Sequence, residues 1–317
     1  MRNFRESHIA NVRSDPTDAY SLIAAARSGN AEELGCLLAA GVPIDFKDRD
    51  DKTAFMWACG EGRIDAMELL WKHGAQVDGA DRNGSTALIE ASLLGHERVV
   101  KLLLEKGADV TAREKLLGAT ALIFACLAGH MQIALMLLEH GAEIDACDKD
   151  GRTALLESSF AGHPGLVRLL VDRGANVNAA NIHGTTPLIA ASICGEYRIA
   201  KVLLDNGAGV EAANRYGKTP LIEASLAGCC ETVKLLLFSG ARIDAADNEG
   251  KTSLMVACAS GHKNVVQILL HNGANAHRKD RHGNTAMTEA AKFARADVIT
   301  LLPTSFEAAA NRCDTAA

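Results

Sequence analysis

The chain has 317 residues, 48% apolar but only 4% aromatic, and a formal net charge of −6 with no Lys/Arg-rich block. That balance speaks against nucleic acid, whose binding rests on neutralising phosphates. Residues 1–8 carry charges where a secretory signal needs an apolar stretch, and no run of about 18 apolar residues is present to span a bilayer. Nine scattered cysteines suit a reducing compartment better than a disulfide framework. A protein of the cytoplasm or nucleus, without a membrane segment, is predicted.

Three columns recur down the sequence. Leucine stands at Leu37, Leu70, Leu103, Leu137, Leu170, Leu203, Leu236, Leu269 and Leu302, spaced by 33 residues except for one gap of 34. Threonine recurs at Thr53, Thr86, Thr120, Thr153, Thr186, Thr219, Thr252 and Thr285. Glycine recurs at Gly41, Gly74, Gly107, Gly141, Gly174, Gly207, Gly240 and Gly273.

In chain order, unit one starts near residue 15, carries Tyr20 where later units have threonine, and is expected to pack its first helix through Ala24, Ala25 and Ala26. The later units share one grammar, seen best in residues 181–213. Asn181 to Gly184 form a turn. Thr185 and Thr186 are candidate N-caps, and Pro187 suits a first helical turn. Leu188, Ala191 and Ser192 recur at helical spacing. Gly195 ends that helix, and a second helix with Ile199, Val202 and Leu203 on one face runs to about Asn206. Gly207 closes it, and Val210 lies in an extended arm. Unit nine ends at Leu302-Pro303. The predicted organisation is a tail over 1–14, a nine-unit domain over 15–303 whose first and last units act as caps, and a tail over 304–317. Stacking neighbours supplies the core that no single unit can bury.

The period of 33, with Thr-Pro-Leu at 186–188 and 219–221 and Thr-Ala-Leu at 86–88, 120–122 and 153–155, resembles the ankyrin repeat. Gly-His at 95–96, 129–130, 162–163 and 261–262 adds to the resemblance, which covers nearly the whole chain. It implies an all-α solenoid of stacked helix-turn-helix units with short β-hairpin-like turns. It also implies a protein–protein interaction scaffold or adaptor that grips a partner in the concave groove of its central repeats. One departure is systematic: the usual histidine after Thr-Pro-Leu is replaced by Ile89, Ile123, Leu156, Ile189, Ile222 and Met255. Apolar stacking is expected in its place.

Candidate partner-binding residues follow from where the units differ. Glu90, Glu157 and Glu223, four places past the threonine, read as a wet helix face that would suit basic side chains on the partner. Three residues further on stand Leu93, Leu127, Phe160, Ile193 and Leu226, with Leu94, Ala128, Ala161, Cys194 and Ala227 beside them. At the usual helix-to-helix distance these five would form an apolar stripe roughly 35–40 Å long; the alternative is that they point into the core between units. The unit-four turn, Arg113 to Gly118, is one residue longer than the others and sets Leu116 and Leu117 where others carry charge. Ile182 and Tyr216 occupy later tips. The two leucines read as a partner contact, or as folded back onto a neighbouring unit. The expected partner is an extended or helical protein segment with apolar anchors and some basic residues.

Nucleotide, metalloprotease and hydrolase motifs are lacking, so no enzyme, cofactor or metal is predicted and the chain is expected to be monomeric alone. His96, His130, His163 and His262 recur in one loop column and read as structural. The alternative function is a regulatory subunit with a redox or metal switch at Cys229-Cys230.

Overall fold

The computed structural model describes residues 16–303, so both expected tails, 1–14 and 304–317, lie outside the described residues. Two compact units divide the chain, at Lys149 and Asp150. The first contains four helix pairs: α1 (Pro16–Ser28) with α2 (Ala31–Ala39), α3 (Ala54–Gly60) with α4 (Ile64–Lys72), α5 (Ala87–Leu94) with α6 (Glu97–Glu105), and α7 (Ala121–Ala128) with α8 (Met131–Glu139). The second contains five: α9 (Ala154–Phe160) with α10 (Pro164–Asp172), α11 (Pro187–Cys194) with α12 (Tyr197–Asp205), α13 (Pro220–Ala227) with α14 (Cys230–Phe238), α15 (Ser253–Ser260) with α16 (Lys263–His271), and α17 (Ala286–Lys292) with α18 (Ala296–Ile299). Within each unit, first helices pack on the first helices of the next pair, and second helices on second helices. The only extended pairing among the described residues is a set of isolated bridges at the turns, such as Ala80 with Thr86 and Ala246 with Thr252.

The threonine column explains where the first helices begin. Each threonine from Thr53 to Thr285 is extended, and its hydroxyl accepts the backbone N–H three residues on, as in Ile189 N–H to Thr186. Each such cap contributes about 1 kcal/mol. At the other end of each pair the glycine column adopts φ near +80 to +95°, a left-handed turn out of the second helix that a Cβ would oppose.

The leucine column is core. From Leu70 to Leu269 every member is fully buried, and Leu302 is nearly so. Leu37 departs from the pattern: it is only half-buried, and Leu34 takes the deep position in α2. Among the described residues repeat one packs on a single neighbouring repeat, which leaves one flank of α2 uncovered. In the same repeat Ala25 and Ala26 are buried, whereas Ala24 is exposed and does not pack as expected. The residues that replace the usual histidine, Ile89, Ile123, Leu156, Ile189, Ile222 and Met255, are all buried. Apolar stacking does fill that position. Beside it runs a column of small buried side chains, Cys59, Ser92, Cys126, Ser159, Ser192, Ser225 and Cys258.

The loop histidines clip neighbouring repeats together. His96 Nε2 donates to Gly60 O at 2.8 Å, His130 Nε2 to Leu93 O at 3.2 Å, and His262 Nε2 to Leu226 O at 2.9 Å. Because the partner is a carbonyl, the proton sits on Nε2. Arg63 and Arg295 make the equivalent bond to Arg27 O and Ala259 O, both at 3.2 Å.

Candidate functional site

The apolar row on the first helices reaches water. In the first unit Leu93 and Leu127 are 38% and 42% exposed. In the second, Ile193 and Leu226 are 40% and 39% exposed, and Phe160 is half-buried. These positions lie three residues past the helix face that builds the core, at the last turn of each short helix, so the next repeat covers only part of each side chain. Leu94, Ala161, Cys194 and Ala227 are exposed next to them, and Ala128 is half-buried.

The glutamates differ from expectation. Glu157 and Glu223 are buried and Glu90 is largely so, and each already has a cation from this chain. Lys52 pairs with Glu90, Arg152 Nη1 with Glu157 at 3.2 Å, and Lys218 with Glu223 at 3.9 Å; Asn214 adds a hydrogen bond to Glu223 at 3.3 Å. Glu289 repeats the arrangement with Lys292 at 2.7 Å. A carboxylate at this depth must be paired, since an uncompensated buried charge is costly. The reading of a wet face calling for basic partner residues is therefore corrected: these charges are satisfied internally. The cations come from the residue before the capping threonine (Lys52, Arg152, Lys218), a signal the sequence contained.

At the turns, the aspartate or asparagine that opens each tip accepts two backbone N–H groups of the same turn. Asp81 takes those of Asn83 and Ser85 at 2.8 and 2.9 Å, and Asn214 those of Tyr216 and Lys218 at 3.0 and 3.1 Å. Successive tips are joined by one main-chain bond each. In the first unit these are Arg82 N–H to Asp50 O at 3.0 Å, Lys115 N–H to Asn83 O at 2.6 Å and Lys149 N–H to Leu117 O at 2.8 Å. In the second they start with Ile182 N–H to Asp150 O at 2.9 Å and continue to Arg281 N–H to Glu249 O at 2.9 Å.

The unit-four tip keeps this ladder in spite of its extra residue. Glu114, one methylene longer than aspartate, spans the longer turn and accepts N–H groups from Leu116, Leu117 and Ala119 at 2.6, 2.6 and 3.2 Å. The loop does not fold back: Leu116 is 77% exposed and Leu117 38%. Ile182 and Tyr216 are also exposed at their tips, and Arg215 Nη2 donates to the Tyr216 hydroxyl at 2.7 Å.

Two further features are visible only in the structure. A depression of about 500 Å³ in the second unit is lined by Tyr216, Leu226, Val256, Ala259 and Phe293, with Lys218 and Glu289 among its charged walls. In the first unit Trp57 lies between Arg27 and Lys52, whose charged groups sit 4.5 and 4.7 Å from its ring, and its Nε1 donates to Asp48 at 2.8 Å. Trp57 and Val256 share the column of the glutamates, where an apolar residue among charges could have been noticed.

Cys229 and Cys230 are half-buried. Burial, together with the neighbouring Cys230, Cys194 and Glu196, pushes the Cys229 thiol up from its ordinary value, which disfavours the reactive thiolate. Among the described residues no group of three or more His, Cys, Asp or Glu side chains is placed to hold a metal ion.

The stacked helix pairs, threonine caps and bonded tips recur through both units of the described chain, with histidine clips at His96, His130 and His262. The family model for ankyrin repeats matches residues 22–114, 109–181, 178–247 and 240–312. The chain belongs to the ankyrin-repeat family. No curated protein matches it at a significant level. Ankyrin repeats are in general modules for binding other proteins and typically lack catalytic activity of their own. Among the described residues of this ankyrin-repeat chain, no helix is long and apolar enough to cross a membrane.

Proposed function

We propose that this ankyrin-repeat chain is a scaffold or adaptor that holds another protein against the groove face of its central repeats. The observation that carries the reading is the exposure of the first-helix row, Leu93 and Leu127 in one unit and Phe160, Ile193 and Leu226 in the other. Large apolar side chains held in water on rigid helices mark interaction surfaces more than they mark stability. The partner is an extended or helical segment with apolar anchors, each giving roughly 1.5–3 kcal/mol when fully buried. The exposed tips Leu116, Leu117, Ile182 and Tyr216 extend the contact beyond the helices.

The experiment is a pull-down comparing the wild-type chain with Phe160→Glu and Leu226→Glu, each checked for unchanged helicity. Loss of the same specific partners from both variants supports the reading. Unchanged recovery by both removes the first-helix row from it.

A further inference from the structure

We propose that the unit-four tip docks an acidic segment of a partner protein, one that offers a large apolar side chain to Leu116 and Leu117. This rests on the reading of those leucines as a partner contact and adds the chemistry of what they meet.

Charge around the tip is sorted by depth. The carboxylates that open these three turns face inward: Asp81, Glu114 and Asp148 are buried, and Asp81 and Glu114 bind the backbone N–H groups of their own turns. The cations face outward. Arg82, Arg113, Lys115 and Lys149 are all exposed. Lys115 Nζ rests on Arg82 O at 3.3 Å, and Lys149 Nζ on Lys115 O and on Leu116 O. Arg113 donates to Gly118 O at 3.0 Å and to Cys147 O. Carbonyl oxygens orient these groups without cancelling their charge. Among the described residues, only Arg82 of the four has an ion-pair partner, the exposed Asp50 at 3.1 Å.

The result is a cationic line across consecutive tips of the first unit, on a chain whose net charge is −6. The two leucines stand within that line, and a depression of about 560 Å³ lies beside them, lined by Arg113, Lys115, Cys147 and Lys149 together with the buried Glu114 and Asp148. Complementary charge steers encounter and sets specificity, while the apolar pair supplies affinity. Glu114 holds the tip in shape before any partner arrives, so little ordering cost attaches to binding. A nucleic-acid strand would use the cations, but it would want aromatic platforms rather than aliphatic leucines.

The test pans a random-peptide phage library on the full chain and measures the enriched peptides against variants. Enriched peptides are expected to carry net negative charge and at least one Leu, Ile, Phe or Trp. Their affinity should fall at least about tenfold, some 1.4 kcal/mol, in Leu116→Ser/Leu117→Ser and again in Lys115→Glu/Lys149→Glu. Lys263→Glu, an exposed charge change at the start of α16, should leave it unchanged. Neutral or basic winners, no enrichment, or stronger binding to phosphatidylserine vesicles or to oligothymidylate would overturn the proposal. If the leucine variant loses natural partners in a pull-down while no acidic peptide binds, the acidic assignment falls and the contact reading stands. If it changes neither, both fall.

Discussion

Glu114 Oε1 accepts the backbone N–H of Leu117 at 2.6 Å, and this bond lets a turn with one extra residue keep the register of its neighbours. The added residue and the added methylene compensate each other. Glu114→Asp shortens the side chain without shortening the turn, so at least one buried N–H should lose its acceptor. A loss of about 1–3 kcal/mol in chemical denaturation is expected. Deleting Leu117 in the Glu114→Asp background should regain most of that, because it restores the turn length served by Asp81. A double variant no more stable than Glu114→Asp alone would show that the two changes are independent.

Leu170 is fully buried in α10. Leu170→Ala should therefore cost roughly 2–5 kcal/mol, the usual range for a leucine-to-alanine change in a core. Thermal or urea unfolding measures it directly. A loss under about 1 kcal/mol would mean that neighbouring layers collapse into the vacated space far more readily than packed interiors do.

Cys229 occupies the position that holds His96, His130 and His262 in other repeats, and among the described residues its thiol reaches only Ala227 O in its own repeat, at 3.7 Å. Cys229→His would present a ring N–H to Ile193 O, following the pattern of His262 with Leu226 O. We expect a gain of about 0.5–1.5 kcal/mol, seen as a higher Tm. No gain would indicate that the ring cannot settle over Gly195 as the others settle over their glycines.

The thiols should separate by reactivity. Burial pushes Cys126 and Cys258 up to about 12 and raises Cys59 as well, so at pH 8 all three remain protonated and enclosed. Cys36 and Cys147 are exposed. Alkylation of the native chain followed by peptide mapping should label Cys36 and Cys147 within the time that leaves Cys59, Cys126 and Cys258 untouched. Modification of the buried three should appear only after denaturant is added, and rapid labelling of any of them in the native chain would contradict the packing.

Nearly all of the fold was legible from column arithmetic, because each repeat contacts only its neighbours and one periodic rule fixes every layer. Thr186, Leu203 and Gly207 could be given their roles from one unit and extended to the rest. The first repeat broke the rule, with Leu34 rather than Leu37 in the deep position, because a one-sided neighbour changes burial without changing sequence spacing. The candidate site was legible only in part. Exposure of Leu93 and Leu226 was only one of two readings that followed from their spacing, and the wet glutamate face that favoured it is itself largely buried. The depth of Glu157 and Glu223 did not follow, because a carboxylate signals water only when no cation sits within reach. Arg152 and Lys218 are such cations, close in space but placed just upstream of the capping threonine. Trp57 and Val256 stand in the same column as the glutamates, whose charged members carry the stronger signal in the sequence.

The bonds that join one tip to the next run from main chain to main chain, Lys115 N–H to Asn83 O and Lys149 N–H to Leu117 O among them. Their strength does not depend on which side chains stand at the summit of each turn. Those summits can accept substitutions while the scaffold beneath keeps its geometry, so recognition by the tips, as proposed above, could change independently of the fold. A panel of variants randomised at Leu116, Leu117, Ile182 and Tyr216 would be a ready source of new binding specificities on an unaltered frame.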